Sequence, residues 1–299
     1  MSYITLATPI SLSGPSLLSS KITTVTISPA DKGAGLTIAR TDTASTPTRI
    51  SVKLLVPSKE VRSTTLRVSP VGNTLTVVNT VEHVLSAIYG MGITDAHIAV
   101  DGENMPILDG SCQPLVVAMQ EAGIVSDGVK PQVFTIVEPI IIQDKNDPAV
   151  SIEIRPRSAV GCRFRYDFFS ERPVPTPDGT FKVLDQSCIW EGDAFTYFRE
   201  ISPARTFCFK IETDAFTKAG LFTHFTPKDL LVIDDVTAHP IQNMYRYKNE
   251  LARHKIIDLV GDLALVGRRL QVDISSRRAG HALNHLAARA LAELAGTGT

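Results

Sequence analysis

The sequence is poor in cysteine, and the few cysteines it has are far apart. Its 299 residues contain four, at Cys112, Cys162, Cys188 and Cys208. This spacing forms neither a CxxC metal motif nor the dense disulfide framework of a small secreted domain. We therefore expect reduced thiols and a cytoplasmic location.

Long apolar runs and an excess of one charge are also missing. No segment approaches the roughly eighteen uninterrupted apolar residues of a membrane-spanning helix, and the stretch from Met1 to Leu6 lacks the features of an export signal. Thirty basic and thirty-one acidic residues nearly cancel, and no basic stripe indicates nucleic-acid binding. We expect neither a transmembrane segment nor a nucleic-acid partner.

A succession of strands followed by helices occurs twice along the chain. The 43% of hydrophobic residues can fill one large core or two smaller ones. In the first half, the patterns predict a helix with Thr80 as its cap and Gly90 at its end, and a second helix from Pro114 to Ala122. The strands predicted for this half include 23–27, 50–54, 75–77 and 97–100.

The second half is expected to follow a linker over residues 123–131. Its predicted strands are 133–142, 150–154, 162–168 and 270–274, and its predicted helices are 242–266 and 279–295. Strands followed by helices, twice, predict an α+β fold of two similar domains, each a β-sheet packed against helices. We place these domains at residues 1–125 and 132–299.

His254, Asp258 and Asp262 are spaced by four residues on a predicted helix. Each step of four turns by about 400°, so the three side chains share one face. One interpretation is a solvated His–Asp pair, which this spacing often forms. The other is a bound divalent cation, because the intervening residues are strongly apolar, and buried carboxylates and imidazoles need partners.

Glu82 and His83 follow Thr80 and fall in the first turn of a predicted helix. The helix dipole favours a negative charge there. Glu82 is then either an ordinary first-turn acid or a general base beside a metal-binding histidine. The HExxH motif of metalloproteases is not present, and the pattern alone leaves both interpretations of Glu82 and His83 open.

A third group lies within residues 276–285. Gly280 permits a close backbone approach, and His281 begins an Ala- and Leu-rich helix. His281 is either a helix-cap histidine or a group that acts on a substrate. In the second case it needs a carboxylate to fix its tautomer and support its charge, and Asp262 is a candidate.

Five segments extend these local patterns over nearly the whole chain: TVEH at 80–83, PILDGS at 106–111, ARTF at 204–207, RHKIIDLVGDLALVG at 253–267 and AGHALNH at 279–285. In this order they make the chain resemble the zinc-dependent UDP-3-O-acyl-N-acetylglucosamine deacetylases of lipid A biosynthesis. The resemblance implies two α+β domains with the active site at their interface. It also implies a bacterial-type cytoplasmic enzyme with a small-molecule, nucleotide-linked substrate, and we expect a monomer.

The resemblance assigns residues that bind metal and substrate. It implies that His83, His254 and Asp258 bind Zn²⁺ and leave a fourth position open for water, as in catalytic sites. Fe²⁺ would accept the same ligands. Lys255 would contact an anionic part of the substrate, such as a diphosphate, and Phe207 would pack against the substrate if it is not simply a core residue.

The resemblance also assigns the catalytic roles. Glu82 would take a proton from the attacking water. His281, oriented by Asp262, would be cationic and would protonate the departing amine or help to hold the developing charge. The Thr206 hydroxyl, together with the metal, would stabilise the oxyanion.

Three segments depart from the family pattern. The family usually has G-x-G-L-H-[ST]-G near its N-terminus, whereas residues 14–20 read GPSLLSS. Cys208 stands where a glycine follows ARTF, and His224 and Phe225 replace two glycines. In the family those two glycines lie beside the passage for the acyl chain, so their replacement predicts a narrowed or rerouted passage.

Two substrate classes therefore remain open. The usual 3-O-acylated substrate fits if a neighbouring small residue compensates, and otherwise the substrate is an N-acetyl sugar with a short acyl chain or none. A non-catalytic binding protein is disfavoured, because Glu82, His281 and all the inferred ligands are present. Fusion to a dehydratase is disfavoured by the length of the chain.

Overall fold

The computed structural model describes residues 3–43, 46–56, 63–71, 74–129, 132–169, 174–175, 181–182, 185–218 and 220–297. Within these ranges the chain combines strands and helices in an α+β fold, which confirms the predicted fold class. Buried apolar residues from both halves of the chain form one continuous core.

A five-stranded sheet is the main element of the first half. The strands of this half are β1 Ile4–Leu6, β2 Ile10–Pro15, β3 Ile22–Pro29, β4 Leu36–Arg40, β5 Thr48–Arg49, β6 Thr65–Val71, β7 Thr74–Asn79, β8 Ala96–Val100 and β9 Ile124–Ser126. The sheet has the order β2-β3-β8-β4-β5, with β4 and β8 parallel. Alternate residues of β3 and β8 are buried, as Ile27 opposite Ile98 shows, so one face of the sheet packs on the core. The strands β6 and β7 form a separate hairpin, and β1 pairs with β9.

A second five-stranded sheet dominates the second half. The strands here are β10 Val133–Phe134, β11 Ile140–Gln143, β12 Ser151–Pro156, β13 Arg163–Phe169, β14 Val174–Pro175, β15 Phe181–Lys182, β16 Asp185–Trp190, β17 Phe207–Phe209, β18 Leu231–Ile233, β19 Arg269–Leu270 and β20 Val272–Arg277. The sheet order is β11-β12-β20-β13-β16, with β13 and β20 parallel. Phe164 lies between Ile274 and Trp190 on the adjacent strands, and all three side chains are buried.

The helices are α1 Glu82–Gly90, α2 Gln113–Ala122, α3 Ala194–Thr196, α4 Lys210–Lys218, α5 Glu250–Leu263 and α6 His281–Leu294. A π-helical segment, Tyr197–Ile201, continues α3, and a 3-10 turn, Ala264–Val266, continues α5. No helix of the described residues is both long and apolar enough to cross a membrane.

The close approach of α1 to α5 depends on Gly261. A Cβ atom at this position would lie 2.0 Å from the carbonyl oxygen of Glu82, which no side chain permits. Fully buried residues such as Leu85 of α1 and Val260 of α5 belong to the surrounding core. The contact places the start of α1, with Glu82 and His83, beside the middle of α5.

Thr80 does not cap α1 as predicted. The N-cap is Val81, which makes no side-chain cap bond. Thr80 instead has a φ of 63°, a left-handed conformation that is rare for a β-branched residue. This conformation turns the chain from β7 into α1, while the Val81 N–H donates to the Thr64 carbonyl.

Two other predicted elements are wrong. Residues 50–54 are not a strand, because Val52–Leu54 close into a 3-10 turn, with the Leu54 N–H bonded to the Ser51 carbonyl. The helix predicted from 242 begins only at Glu250. The carboxylate of Glu250 accepts from the Arg246 N–H and from Arg205, and these bonds hold the preceding residues in a loop.

The predicted boundary between the two halves contains regular structure. Strand β9 lies within the proposed linker 123–131, of which residues 130 and 131 fall outside the described ranges. The strand predicted at 133–142 is divided into β10 and β11. The division into domains 1–125 and 132–299 stays a prediction.

Candidate active site

His83 from α1 and His254 and Asp258 from α5 converge at the contact between these helices. Their ligand atoms all lie within 4.8 Å of one another, and all three residues are buried. The Asp258 Oδ1 atom is 3.3 Å from His254 Nε2 and 3.9 Å from His83 Nε2. The spacing of four residues on α5 therefore produces the shared face that the sequence predicted.

The protonation of these groups suits a divalent cation. Burial, with the neighbouring His254, lowers the pKa of His83 to about 3, so its imidazole is neutral. Burial alone would raise the pKa of Asp258, but Lys255 and His254 outweigh it and hold that pKa well below its usual value. The Nδ1 of His254 lies 3.1 Å from the Ala204 carbonyl, which can only accept, so Nδ1–H donates to it and orients the ring. Two imidazoles and one carboxylate fit Zn²⁺ or Fe²⁺.

Lys255 lies beside the same carboxylate. Its Nζ is 2.8 Å from Asp258 Oδ2 and 5.7 Å from the centre of the Phe207 ring. All three residues line one cavity. The ammonium group is therefore positioned inside the cavity, where an anionic ligand can reach it.

Glu82 lies next to His83 in the wall of this cavity, where it is almost fully buried. Its Oε2 accepts the backbone N–H of Thr64 at 2.9 Å. Burial raises the pKa of Glu82 to about 7. A carboxyl group with this pKa can both accept and release a proton near neutral pH.

His281, the first residue of α6, is paired with Asp262. Its Nδ1 is 2.8 Å from Asp262 Oδ2. Burial opposes a charged ring, but the carboxylate of Asp262 outweighs it and raises the pKa of His281 to about 9. His281 is therefore cationic at neutral pH, and its Nε2 is 3.9 Å from Asp258 Oδ2.

Three residues around Asp262 were not assigned from the sequence. Asn284 Nδ2 donates to Asp262 Oδ2 at 2.9 Å, and Thr64 Oγ1 contacts both Asp262 Oδ1 and His285 Nε2. Asn284 and His285 follow His281 by three and four residues, so helical spacing was a usable signal for them. Thr64 lies ahead of β6, far from these residues in sequence, and gave no such signal.

Asp262, His281 and His285 form a second group whose ligand atoms lie within 4.8 Å of one another. The raised pKa of His281 keeps its ring protonated, and a protonated ring has no lone pair to give to a metal. The first group, in which His83 is neutral, is therefore the better cation site.

The segment 204–207 is held against α5 by a buried ion pair. Arg205 Nε lies 2.8 Å from Glu250 Oε1, and both side chains are buried. This places the Ala204 carbonyl against His254 and brings Thr206 and Phe207 to the cavity wall.

Gly110 of the PILDGS segment supports Thr206. Its carbonyl accepts the Thr206 N–H at 2.7 Å, and its φ of 82° favours glycine. A Cβ at Gly110 would also lie 3.3 Å from Thr206 Cγ2. The conformation and the space at this position both favour glycine.

The cavity that contains these groups has a volume of about 810 Å³. One part of its wall is apolar. This part is formed by Phe207 and six further residues: Leu17, Phe209, Phe216, Leu221, Phe222 and Leu230. Near Glu82 the wall also includes Ser63 and Thr80, whose buried hydroxyls have no hydrogen-bond partner in the described structure. The cavity can thus receive a ligand with both a polar and an apolar part.

Two of the departures from the family pattern contact each other. His224 Nε2 lies 2.9 Å from the Ser16 carbonyl, and its ring packs on Phe225 at 4.2 Å between centres. Neither His224 nor Phe225 is among the residues that line the cavity, whereas Cys208 is. Support for a narrowed passage therefore rests on the sequence alone.

Comparison with known proteins gives a consistent result along the chain. The family model described as UDP-3-O-acyl N-acetylglycosamine deacetylase matches residues 4–293. The chain is similar to a protein named UDP-3-O-acyl-N-acetylglucosamine deacetylase from Nostoc sp. (strain PCC 7120), with 36% identity over 98% of this chain and 99% of the relative. A protein of the same name from Anaeromyxobacter sp. (strain Fw109-5) is 33% identical over 95% of this chain and 86% of its own length. With nearly the whole chain matched, this protein belongs to the UDP-3-O-acyl-N-acetylglucosamine deacetylase family.

Proposed function

We propose that this protein is a zinc-dependent deacetylase that hydrolyses the acetamide of UDP-3-O-acyl-N-acetylglucosamine in lipid A biosynthesis. The observation that carries the proposal is one cavity that contains a two-histidine, one-carboxylate group, a carboxyl group with a pKa of about 7 and a cationic histidine. Amide hydrolysis needs an activated water, a proton acceptor and a proton donor, and these groups can supply all three.

The metal ligands in this proposal are His83, His254 and Asp258. Zn²⁺ bound by these three side chains would supply Lewis-acid activation of the water and of the amide carbonyl. The Ala204 carbonyl orients the His254 ring for this purpose.

Glu82 is the general base. The Thr64 N–H fixes one of its oxygens, and the other, which has no hydrogen bond to the described residues, can take a proton from the attacking water. Its position in the cavity wall beside His83 puts it next to the proposed metal site.

His281 is the general acid. Asp262 accepts from Nδ1, so the proton on Nε2 faces the cavity and can pass to the departing amine. Proton transfer of this kind typically contributes about 10² to 10⁴ in rate. Thr206 lines the same wall, and its hydroxyl would stabilise the oxyanion.

The remaining wall of the cavity supports the proposed substrate class. Lys255 offers a charge to a diphosphate. The hydroxyls of Ser63 and Thr80, which have no hydrogen-bond partner among the described residues, offer hydrogen bonds to the sugar. The apolar wall from Phe207 to Leu230 suits a 3-O-acyl chain. The alternative, an N-acetyl sugar with a short acyl chain or none, rests on His224 and Phe225, which replace glycines of the family pattern.

One assay tests the proposal and separates the two substrates. Purified protein of measured zinc content is offered UDP-N-acetylglucosamine with and without a 3-O-acyl chain, and released acetate is measured. We expect faster release from the acylated substrate. Equal or faster release from the substrate without the chain would favour the alternative. If the zinc-loaded protein releases no acetate from either compound, it is not a deacetylase of these sugars.

A further inference from the structure

Thr64 contacts both carboxylates that serve the proposed proton transfers. Its backbone N–H donates to Glu82 Oε2 at 2.9 Å, and its hydroxyl contacts Asp262 Oδ1. The residue is completely buried, and it is not among the residues that line the cavity. It therefore contacts the two carboxylates from the side away from the cavity, where a substrate in the cavity does not reach it.

The direction of each hydrogen bond follows from the donors available. An ionised carboxylate can only accept, so the single hydroxyl proton of Thr64 goes to Asp262. The hydroxyl oxygen has two further contacts, 2.8 Å to His285 Nε2 and 3.3 Å to His281 Nδ1, and in both it can only accept from the ring. Asp262 thus accepts hydrogen bonds from Thr64 on Oδ1 and from Asn284 and His281 on Oδ2. Bonds to both oxygens fix the orientation of the carboxylate.

Thr64 also links separate parts of the fold. It precedes β6, and its carbonyl accepts the Val81 N–H at the start of α1. Its side chain reaches Asp262 of α5 and His285 of α6. One residue of the first half therefore fixes the base on α1 relative to the carboxylate that orients the acid.

We propose that Thr64 is a positioning residue for the acid and the base, with His285 completing its hydrogen bonds. The inference rests on the proposed deacetylase function. Through its main chain Thr64 holds Glu82, and through its hydroxyl it holds Asp262 in the orientation that His281 requires. Neither contact involves the metal ligands, so metal binding does not depend on the Thr64 hydroxyl.

The substitution Thr64→Val removes the hydroxyl and keeps the shape of the side chain and the N–H to Glu82. Asp262 then loses one donor, and the His285 Nε2–H loses its acceptor. Groups that orient a catalytic side chain typically contribute about 10- to 100-fold. We expect kcat to fall by about this factor, with KM and zinc content unchanged, and we expect Thr64→Ser to restore kcat because serine keeps the hydroxyl.

Thr65→Val is the matched control. Thr65 is the next residue, it is also buried, and its hydroxyl donates to Asn79 Oδ1, outside the catalytic groups. We expect this variant to keep the kcat of the unsubstituted protein. Equal losses of kcat in Thr64→Val and Thr65→Val, or no recovery in Thr64→Ser, would show a general structural effect and overturn the proposal.

A second readout does not require turnover. The imidazole ¹⁵N resonances of His281 in the zinc-loaded protein, measured at a fixed pH, report the bond between His281 and Asp262. They are assigned as the resonances that disappear in the His281→Asn variant. We expect these resonances to shift in Thr64→Val and to return in Thr64→Ser, and unchanged resonances would overturn the positioning role.

If Thr64→Val does not fold, Thr64→Cys, a compact side chain with a weaker donor, takes its place with the same expected outcomes. Absence of acetate release by the unsubstituted protein would instead refute the proposed function, and the resonances would still decide the role of Thr64.

Discussion

Two carboxylates four residues apart on α5 have different neighbours, and the proposed function gives them different tasks. Asp258 lies with His83 and His254, whereas Asp262 lies with His281, Asn284 and Thr64. The spacing alone gave three similar groups on one helix face. At the scale of single residues, the hydrogen-bond partners support the proposed division of these groups between metal binding and proton transfer.

This division predicts the zinc content of two variants. Asp258→Ala removes a proposed ligand, so we expect its zinc affinity to fall by more than about 100-fold. Asp262→Asn is the matched control, and we expect it to keep its zinc but to lose activity. Metal analysis after dialysis against a zinc buffer measures both. Full zinc content in Asp258→Ala would contradict the ligand assignment.

Glu82→Gln tests the proposed base. Glutamine can still accept the Thr64 N–H, but it cannot take a proton from water. We expect kcat to fall by about 10² to 10⁴, with zinc content unchanged. Glu121→Gln, at an exposed position of α2, serves as the control. An unchanged kcat in Glu82→Gln would remove Glu82 as the base.

At the scale of elements, the contact between α1 and α5 holds the site together. Gly261 allows the Glu82 carbonyl to approach α5 at a distance that no side chain permits. Since Glu82 and His83 begin α1, any separation of the two helices moves the proposed base and one proposed ligand away from the other groups.

Gly261→Ala should therefore destabilise the protein. Alanine in an exposed helix is favoured over glycine by about 1 kcal/mol. Here we expect the opposite sign, a loss of about 1 to 3 kcal/mol in the free energy of unfolding, because the added methyl group collides with backbone. Urea unfolding measures the change, with Gly280→Ala as a control, since no heavy atom lies within 4 Å of a Cβ there. A more stable Gly261→Ala variant would contradict the packing described.

The sequence predicted the structure best where the apolar periodicity of a segment matches the contacts that the segment makes. The helices α1, α2 and α6 and most core strands follow from apolar patterns, and His254, Asp258 and Asp262 share a face as their spacing predicts. The errors arise where distant groups determine the backbone. Glu250 holds residues before α5 in a loop by binding Arg205, and Thr64 binds Glu82 and Asp262 from a distant segment. No local pattern indicates such contacts.

At the scale of the whole molecule, each half of the chain supplies part of the site. The first half contributes Glu82 and His83, and the second contributes His254, Asp258 and His281. The cavity extends from these groups along an apolar wall formed mainly by residues around α4. The fold thus joins a polar reaction centre to a surface suited to a hydrocarbon chain.

The apolar wall predicts a dependence on acyl-chain length. Phe216 lines the cavity from α4 and packs on Phe222, so we expect Phe216→Ala to raise KM for the long-chain substrate several-fold. The KM for UDP-N-acetylglucosamine without the chain should not change. Phe225→Ala is the comparison, because Phe225 does not line the cavity, and we expect no effect. Improved use of long chains by Phe225→Ala alone would instead support the narrowed passage.

The proposed function requires a zinc ion held by His83, His254 and Asp258. The direct measurement is acetate release from UDP-3-O-acyl-N-acetylglucosamine by protein stripped of metal with a chelator and then titrated with Zn²⁺. We expect the stripped protein to be slower by orders of magnitude, and activity to return in proportion to the first equivalent of zinc. Undiminished turnover by the metal-free protein would show that deacetylation does not require the ion.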